Sequence, residues 1–158
     1  MNDLILQPVI AMCVLSFAMM VWMYATRLPA AKKLEEDGVD VQKFSHPASI
    51  GGIFPSEVER VADNYNHLFE QPTVFYAISF VIWGLNHTDS MHLYCAWSYV
   101  LIRIIHSVLQ ATINLIWFRF SIFILSWIAL AIMIFREALM IIQDLGLTSS
   151  STSPGFNL

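Results

Sequence analysis

The feature that most constrains this chain is a series of long segments without charged residues. The first runs from Leu4 to Thr26. At about 1.5 Å of rise per residue, a helix of that length crosses the roughly 30 Å hydrocarbon core of a bilayer. Only 13% of all residues are charged, against roughly 25% in soluble domains. The chain is therefore predicted to be an integral membrane protein with one domain.

Further apolar segments follow the first, and polar or proline-containing stretches separate them. The polar stretch at 86–90 is short, so the second and third helices are predicted to be antiparallel neighbours. We predict an all-α, up-down bundle of four transmembrane helices over residues 1–145. The predicted boundaries are helices at about 4–27, 57–85, 91–118 and 120–142, a water-facing loop at 28–56, and a disordered tail at 146–158.

Basic residues are concentrated on one side of the predicted bundle. The positive-inside rule then puts the first loop in the cytoplasm and both termini outside. The net charge of -4 comes largely from acidic residues in that loop, and it gives no indication of nucleic-acid binding. The basic residues that set the orientation are Arg27, Lys32, Lys33, Lys43, Arg60 and Arg119.

Two of the predicted helices carry polar side chains at helical spacing. Ionisable groups inside a membrane are costly, and by default they mark a function or a tightly paired network. Because each helical residue turns by about 100°, each set falls on one stripe, and the two stripes are predicted to face each other or a neighbouring subunit. The first stripe is Arg60, Asn64, His67 and Gln71 with Glu70 beside it, and the second is Arg103, His106, Ser107, Gln110 and Asn114.

The short turn between the two helices sets the relative levels of the stripes. Folding the hairpin about this turn brings Glu70 within reach of Arg103, which predicts a buried ion pair. Three interpretations stay open: a ligand site, hydrogen bonds of about 1 kcal/mol that only hold helices together, and a haem or quinone site. The last would use His67 and His106, and a predicted difference in depth of about one helical turn weakens it.

The polar pattern Arg60, Asn64, Glu70, Pro72 resembles the second-helix signature of the MAPEG family, the membrane-associated proteins of eicosanoid and glutathione metabolism. The stretch NHLFEQPTVFYA is similar to bacterial members. The pattern Arg103-Ile-Ile-His106, with the later Arg119, resembles the prostaglandin-synthase branch. The resemblance covers nearly the whole chain. It implies a homotrimer surrounded by membrane lipids, located in a bacterial inner membrane.

The resemblance also implies a chemistry, namely that of a glutathione-dependent transferase or peroxidase. The second substrate would be a lipophilic small molecule that arrives through the bilayer. Arg119 would be catalytic, because a nearby cation lowers the pKa of a thiol and stabilises the nucleophilic thiolate. Glutathione would bind as co-substrate in a cleft between subunits that faces the cytoplasm, held by Arg60, Asn64, His67, Glu70, Arg103 and His106.

The chain departs from the family pattern at specific positions. His67 stands where the eicosanoid enzymes have a glutamate, and Gln110 stands where they have a tyrosine one turn after the histidine of helix three. A second basic residue near the start of helix two is absent. These departures keep an alternative open, a non-catalytic membrane protein whose polar face assembles the trimer or docks to a membrane complex. No zinc-ligand spacing occurs, so no metal is predicted.

Overall fold

The structure is a computed structural model that describes residues 2–40, 42 and 52–150, with side chains described as far as Gly146. The described residues form helices and turns without a strand. After a short 3-10 turn at Asn2–Ile5, the elements are α1 (Leu6–Glu36), α2 (Ser56–His67), α3 (Gln71–Gly84), α4 (Ser90–Ala111) and α5 (Ile116–Ser150).

The helices pack as a bundle in which α2 and α3 together take the place of one predicted helix. α4 packs against α2 and α5, and α1 packs against α2, α3 and α4. Three helical segments are long and apolar enough to cross a bilayer, at 2–36, 90–111 and 116–146. The chain is thus an all-helical integral membrane protein, in agreement with the class predicted from its uncharged segments.

The interior of the bundle is filled by aromatic and flexible apolar side chains. Phe75 on α3 stacks on Tyr99 of α4 with ring centroids 4.5 Å apart, and Met12 and Met133 are wholly buried. Large apolar side chains also cover the outside, as Trp117 does with 81% of its surface exposed. An extended apolar exterior of this kind suits contact with lipid or a partner subunit.

The predicted helix at 57–85 is broken at Leu68–Glu70. Pro72 lies in the first turn of α3; its ring lacks an N–H and clashes with the carbonyl group four residues earlier, which belongs to Leu68. The residues before it leave the helical conformation, and Glu70 has φ −92° and ψ −91°. The hydroxyl of Thr73 donates to the Glu70 carbonyl at 2.6 Å, within the first turn of α3. This break determines where Glu70 points.

The first helix continues about two and a half turns beyond its predicted end at residue 27, as far as Glu36. Residues 30–36 are alanine, lysine, leucine and glutamate, which are strong helix formers. The helix ends where Gly38 adopts φ +84°, the left-handed conformation typical of a C-terminal cap. The predicted loop at 28–56 is therefore shorter, and residues 41 and 43–51 of it lie outside the described residues.

The boundary between the last two predicted helices also differs from its prediction. α4 ends at Ala111 rather than 118, because Asn114 adopts φ +52° and its N–H donates to Leu109 O at 2.8 Å. Asn114 thus lies in the connection and not on the predicted stripe. α5 begins at Ile116 rather than 120 and continues to Ser150, past its predicted end at 142. Its extension includes the first residues of the predicted tail, whose remainder, 151–158, lies outside the described residues.

Candidate functional site

A cleft of about 500 Å³ opens between the end of α2, the end of α4 and the start of α5. One wall is polar and the other is mainly aromatic, so the cleft is amphiphilic. This arrangement suits a ligand with a charged part and an apolar part. The polar wall comprises Asp63, Asn66, His67, Glu70, His106, Gln110 and Arg119, and the apolar wall comprises Ile116, Trp117, Phe120 and Phe123.

The polar wall contains a close contact between the side chains of His67 and Glu70. Nδ1 of His67 lies 2.6 Å from Oε2 of Glu70. The His67 ring centroid lies 5.4 Å from that of His106 and 5.1 Å from that of Phe123, and the latter two rings lie 6.0 Å from each other. The two imidazoles are therefore neighbours on the cleft. Their separation is about the pitch of one helical turn, so the predicted depth difference stays a prediction.

Arg119 lies on the cleft wall in the first turn of α5. Its Nη1 donates a hydrogen bond to Oδ1 of Asn114 at 2.7 Å. A guanidinium has five N–H donors in a fixed plane, so one contact with a neutral amide leaves donors for an anion in the cleft. The positive φ of Asn114 is what lets its side chain reach the arginine five residues later.

Arg103 is wholly buried beneath the cleft and does not pair with Glu70 as predicted. Its Nη1 donates to Oε1 of Gln71, and its Nη2 donates to the carbonyl of His67, both at 3.4 Å. Gln71 Oε1 also accepts from the hydroxyl of Ser126 at 3.0 Å. Because the helix breaks before Gln71, this amide faces the arginine while Glu70 turns to the exposed rim. Arg103 therefore supports the backbone of His67.

The two remaining predicted site residues, Arg60 and Asn64, do not line the cleft of a single chain. Nε of Arg60 donates to Ser56 O of its own helix at 3.2 Å. Asn64 is wholly buried, and neither atom of its amide has a hydrogen-bond partner among the described residues. The structure thus brings together His67, Glu70, His106 and Arg119, and it puts Arg103 one layer below them.

Several lining residues were missed by the sequence prediction. Asp63 lies four residues before His67 along the chain, and Asn66 lies four residues before Glu70. This spacing puts all four residues on one face of a helix. This signal was present in the sequence. The aromatic wall gave a weaker signal, since Phe120 and Phe123 lie in an apolar segment where lipid-facing residues look the same.

No group of three or more His, Cys, Asp or Glu side chains in the described ranges is arranged to hold a metal ion. The ionisable side chains of the cleft offer two carboxylates, two imidazoles and a guanidinium. Such a set can bind a zwitterionic ligand, stabilise an anion and transfer a proton.

Comparison with known protein families agrees with this architecture. The family model described as the MAPEG family matches residues 5–139. The match begins at the end of the 3-10 turn and includes α2, α3 and α4 with all residues of the cleft. No curated protein and no solved structure matches the chain.

Proposed function

The chain belongs to the MAPEG family, and on this basis we propose that it is a membrane-bound, glutathione-dependent transferase or peroxidase acting on lipophilic electrophiles. Family members are membrane proteins of glutathione-linked metabolism. The single observation that carries the proposal is the position of Arg119 on the wall of an amphiphilic cleft. A cation at that point stabilises a thiolate, which is the nucleophilic form of glutathione.

The polar wall supports binding of the charged parts of glutathione. The tripeptide carries two carboxylates, one ammonium group, amides and a thiol. In our proposal Glu70, which is on the exposed rim, attracts the ammonium group, and Arg119 holds the sulfur. His106 and Gln110 complete the polar wall, and Arg103 acts from below by fixing the carbonyl of His67.

The aromatic wall supports binding of the second substrate. Trp117 and Phe120 are largely exposed at the mouth of the cleft, at the level where α5 enters the apolar part of the bundle. A lipophilic electrophile dissolved in the bilayer reaches this wall without crossing water. The thiolate on the polar side and the electrophile on the apolar side would then meet near Phe123.

A homotrimer would complete the site in this proposal. The exposed Trp117 offers an apolar surface to a neighbouring subunit. Among the described residues, the one side-chain hydrogen bond of Arg60 runs from its Nε to its own helix, so its terminal nitrogens are available to a ligand held in the neighbour's cleft. Basic residues at the ends of α1 and α2 lie on the same side as Arg119, and with the first loop in the cytoplasm the cleft faces the glutathione pool.

The test uses the purified full chain in mild detergent. We expect saturable glutathione binding by calorimetry, together with thiolate absorbance in the ultraviolet difference spectrum. Arg119→Ala should bind glutathione but lose most of the thiolate signal, because the cation that stabilises the anion is gone. Arg27→Ala, which removes an arginine from the same side of the membrane but outside the cleft, is the matched control. If the wild type does not bind millimolar glutathione, the proposal is wrong.

The alternative is a non-catalytic protein whose polar groups serve assembly. The observation that favours it is the set of buried polar side chains that do not line the cleft, such as Asn64 and Ser107. Buried polar groups of this kind can hold membrane helices together. A trimer that lacks glutathione binding would support this alternative.

A further inference from the structure

We propose that His67, oriented by Glu70, is the general base that removes the thiol proton of bound glutathione. This inference rests on the proposed function and adds a step to it, because a cation such as Arg119 can stabilise a thiolate but cannot accept the proton. The step belongs to this chain in particular, since His67 is the residue that departs from the eicosanoid-enzyme pattern.

The hydrogen bond between the two side chains fixes which ring nitrogen is free. An ionised carboxylate only accepts hydrogen bonds, so Nδ1 of His67 carries the proton that faces Oε2 of Glu70 at 2.6 Å. Nε2 then holds a lone pair. Within the described part of the chain, Nε2 has no hydrogen-bond partner, and the side chain keeps 22% of its surface exposed on the cleft. This is the arrangement of a base and its orienting group.

Several contacts restrain the ring and its backbone. His106 and Phe123 contact the ring in tilted arrangements, and Nη2 of Arg103 donates to the His67 backbone carbonyl. Leu68, the next residue, is buried and anchors the end of α2. A ring restrained in this way can present Nε2 to a ligand in a constant direction, as general-base catalysis requires.

The cations around His67 favour a neutral ring before the reaction. A neighbouring carboxylate stabilises the imidazolium after the ring accepts a proton. From α4 and α5 the ring faces the cations of Arg103 and Arg119 and the second imidazole, His106. Burial of the ring, and then these cations, disfavour an imidazolium. On its own side Glu70 contacts the ring, and Asp63 lies one turn earlier on the same wall. The Glu70 carboxylate compensates the positive charge when the proton arrives.

The proposed reaction with an activated aryl chloride balances as follows. The thiol proton moves to Nε2 of His67 and leaves the sulfur electron pair, which Arg119 stabilises. The sulfur forms a bond with the aryl carbon, the carbon–chlorine bond breaks, and chloride leaves. The imidazolium then releases its proton to water at the exposed rim, beside Glu70. No oxidant or reductant is needed.

The experiment measures chlorodinitrobenzene conjugation and the thiolate absorbance of bound glutathione against pH. We expect His67→Gln to lower kcat at neutral pH on the order of 10²-fold, with little change in KM for glutathione. The loss should shrink at high pH, where the thiol ionises without a base. Glu70→Gln should give a smaller loss, because a neutral amide no longer stabilises the imidazolium.

The control is His87→Gln, which removes a histidine of similar exposure that also contacts a carboxylate, at the opposite end of the bundle. It should leave the pH profile unchanged. A loss in His67→Gln that is the same at every pH, or that appears only in KM, would overturn the assignment of His67 as base while the proposed function stands. Absence of glutathione binding in the wild type would overturn both.

Discussion

Asn114 ends α4 and also holds Arg119, since its Oδ1 accepts from Nη1 of the arginine at 2.7 Å. One residue thereby connects the backbone geometry of the bundle to the electrostatics of the cleft. Its left-handed conformation, with φ +52°, turns the chain into α5. The side chain then fixes one edge of the guanidinium and leaves the other edge toward the cleft.

Replacing Asn114 separates these two roles. Asn114→Gly keeps the backbone conformation, because glycine adopts positive φ readily, but it releases the arginine. We expect kcat for glutathione conjugation to fall about tenfold, less than the loss on removing a donor that contacts the transition state directly. The thermal stability in detergent should change little.

Asn114→Ala is the companion variant for the backbone role. Alanine at positive φ costs roughly 1–2 kcal/mol, so this variant should unfold at a lower temperature than Asn114→Gly while losing the same fraction of kcat. Equal unfolding temperatures for the two variants would contradict the claim that the turn depends on a left-handed residue.

Gln71 is expected to be a main determinant of stability in the interior. Its Oε1 is the side-chain acceptor for Arg103 and also accepts from Ser126. Gln71→Leu leaves a buried guanidinium with a single carbonyl contact, so we expect a loss of about 2–3 kcal/mol in the free energy of unfolding. Ser126→Ala removes only a neutral donor and should cost about 1 kcal/mol. Unfolding in detergent, followed by circular dichroism, would measure the loss for each variant. Similar losses for the two variants would show that the contact of Gln71 with Arg103 adds nothing to stability.

The lowered pKa of Asp89, at the start of α4, predicts how the stability of the protein changes in acid. Burial opposes its ionisation, but the backbone N–H of His92 and the guanidinium of Arg136 together lower the pKa of Asp89 below its usual value. A carboxyl with a lowered folded-state pKa contributes stability above the unfolded value of about 3.9, and this contribution is lost as the pH falls through the folded value. The unfolding temperature should therefore drop below about pH 4.

Asp89→Asn isolates the charge, because asparagine is an equally good helix N-cap and can still accept from the N–H of His92. The variant should be less stable at neutral pH and should approach the wild type as the pH is lowered. Asp37→Asn, at the exposed end of α1, serves as control. A constant difference between variant and wild type from neutral pH down to about pH 3 would refute the linkage.

The helical membrane class could be predicted because it depends on a local property, the length of the uncharged segments. The helix boundaries could not, since they depend on single residues. Pro72 breaks one predicted helix, while Pro29 remains inside α1 without ending it. The difference lies in the neighbours: strong helix formers follow Pro29, whereas the polar residues before Pro72 find other partners, as Glu70 does with His67.

The candidate site, like the helices, could be predicted only in part. Spacing placed His67, Glu70, His106 and Arg119 near one another, and the structure has them on one cleft. The ion pair of Glu70 with Arg103 was wrong, because its derivation assumed a continuous helix through residues 68–70. The roles of these residues remain predictions, to be decided by the experiments above.

Substitution of Glu137 tests whether the polar network at one end of the bundle acts independently of the cleft at the other end. Its side chain is 1% exposed, and Oε1 lies 2.8 Å from Nδ1 of His87, whose Nε2 in turn lies 3.1 Å from Oδ2 of Asp144. Glu137→Gln replaces the buried carboxyl group of this network with an amide of the same shape. We expect it to lower the free energy of unfolding by about 1–3 kcal/mol and to leave glutathione affinity and kcat unchanged. Unfolding in detergent, calorimetry and conjugation assays would measure these quantities.

The control is Glu36→Gln, at the exposed end of α1, which should change none of these quantities. A loss of affinity in Glu137→Gln without a loss of stability would mean that the two ends of the bundle are coupled.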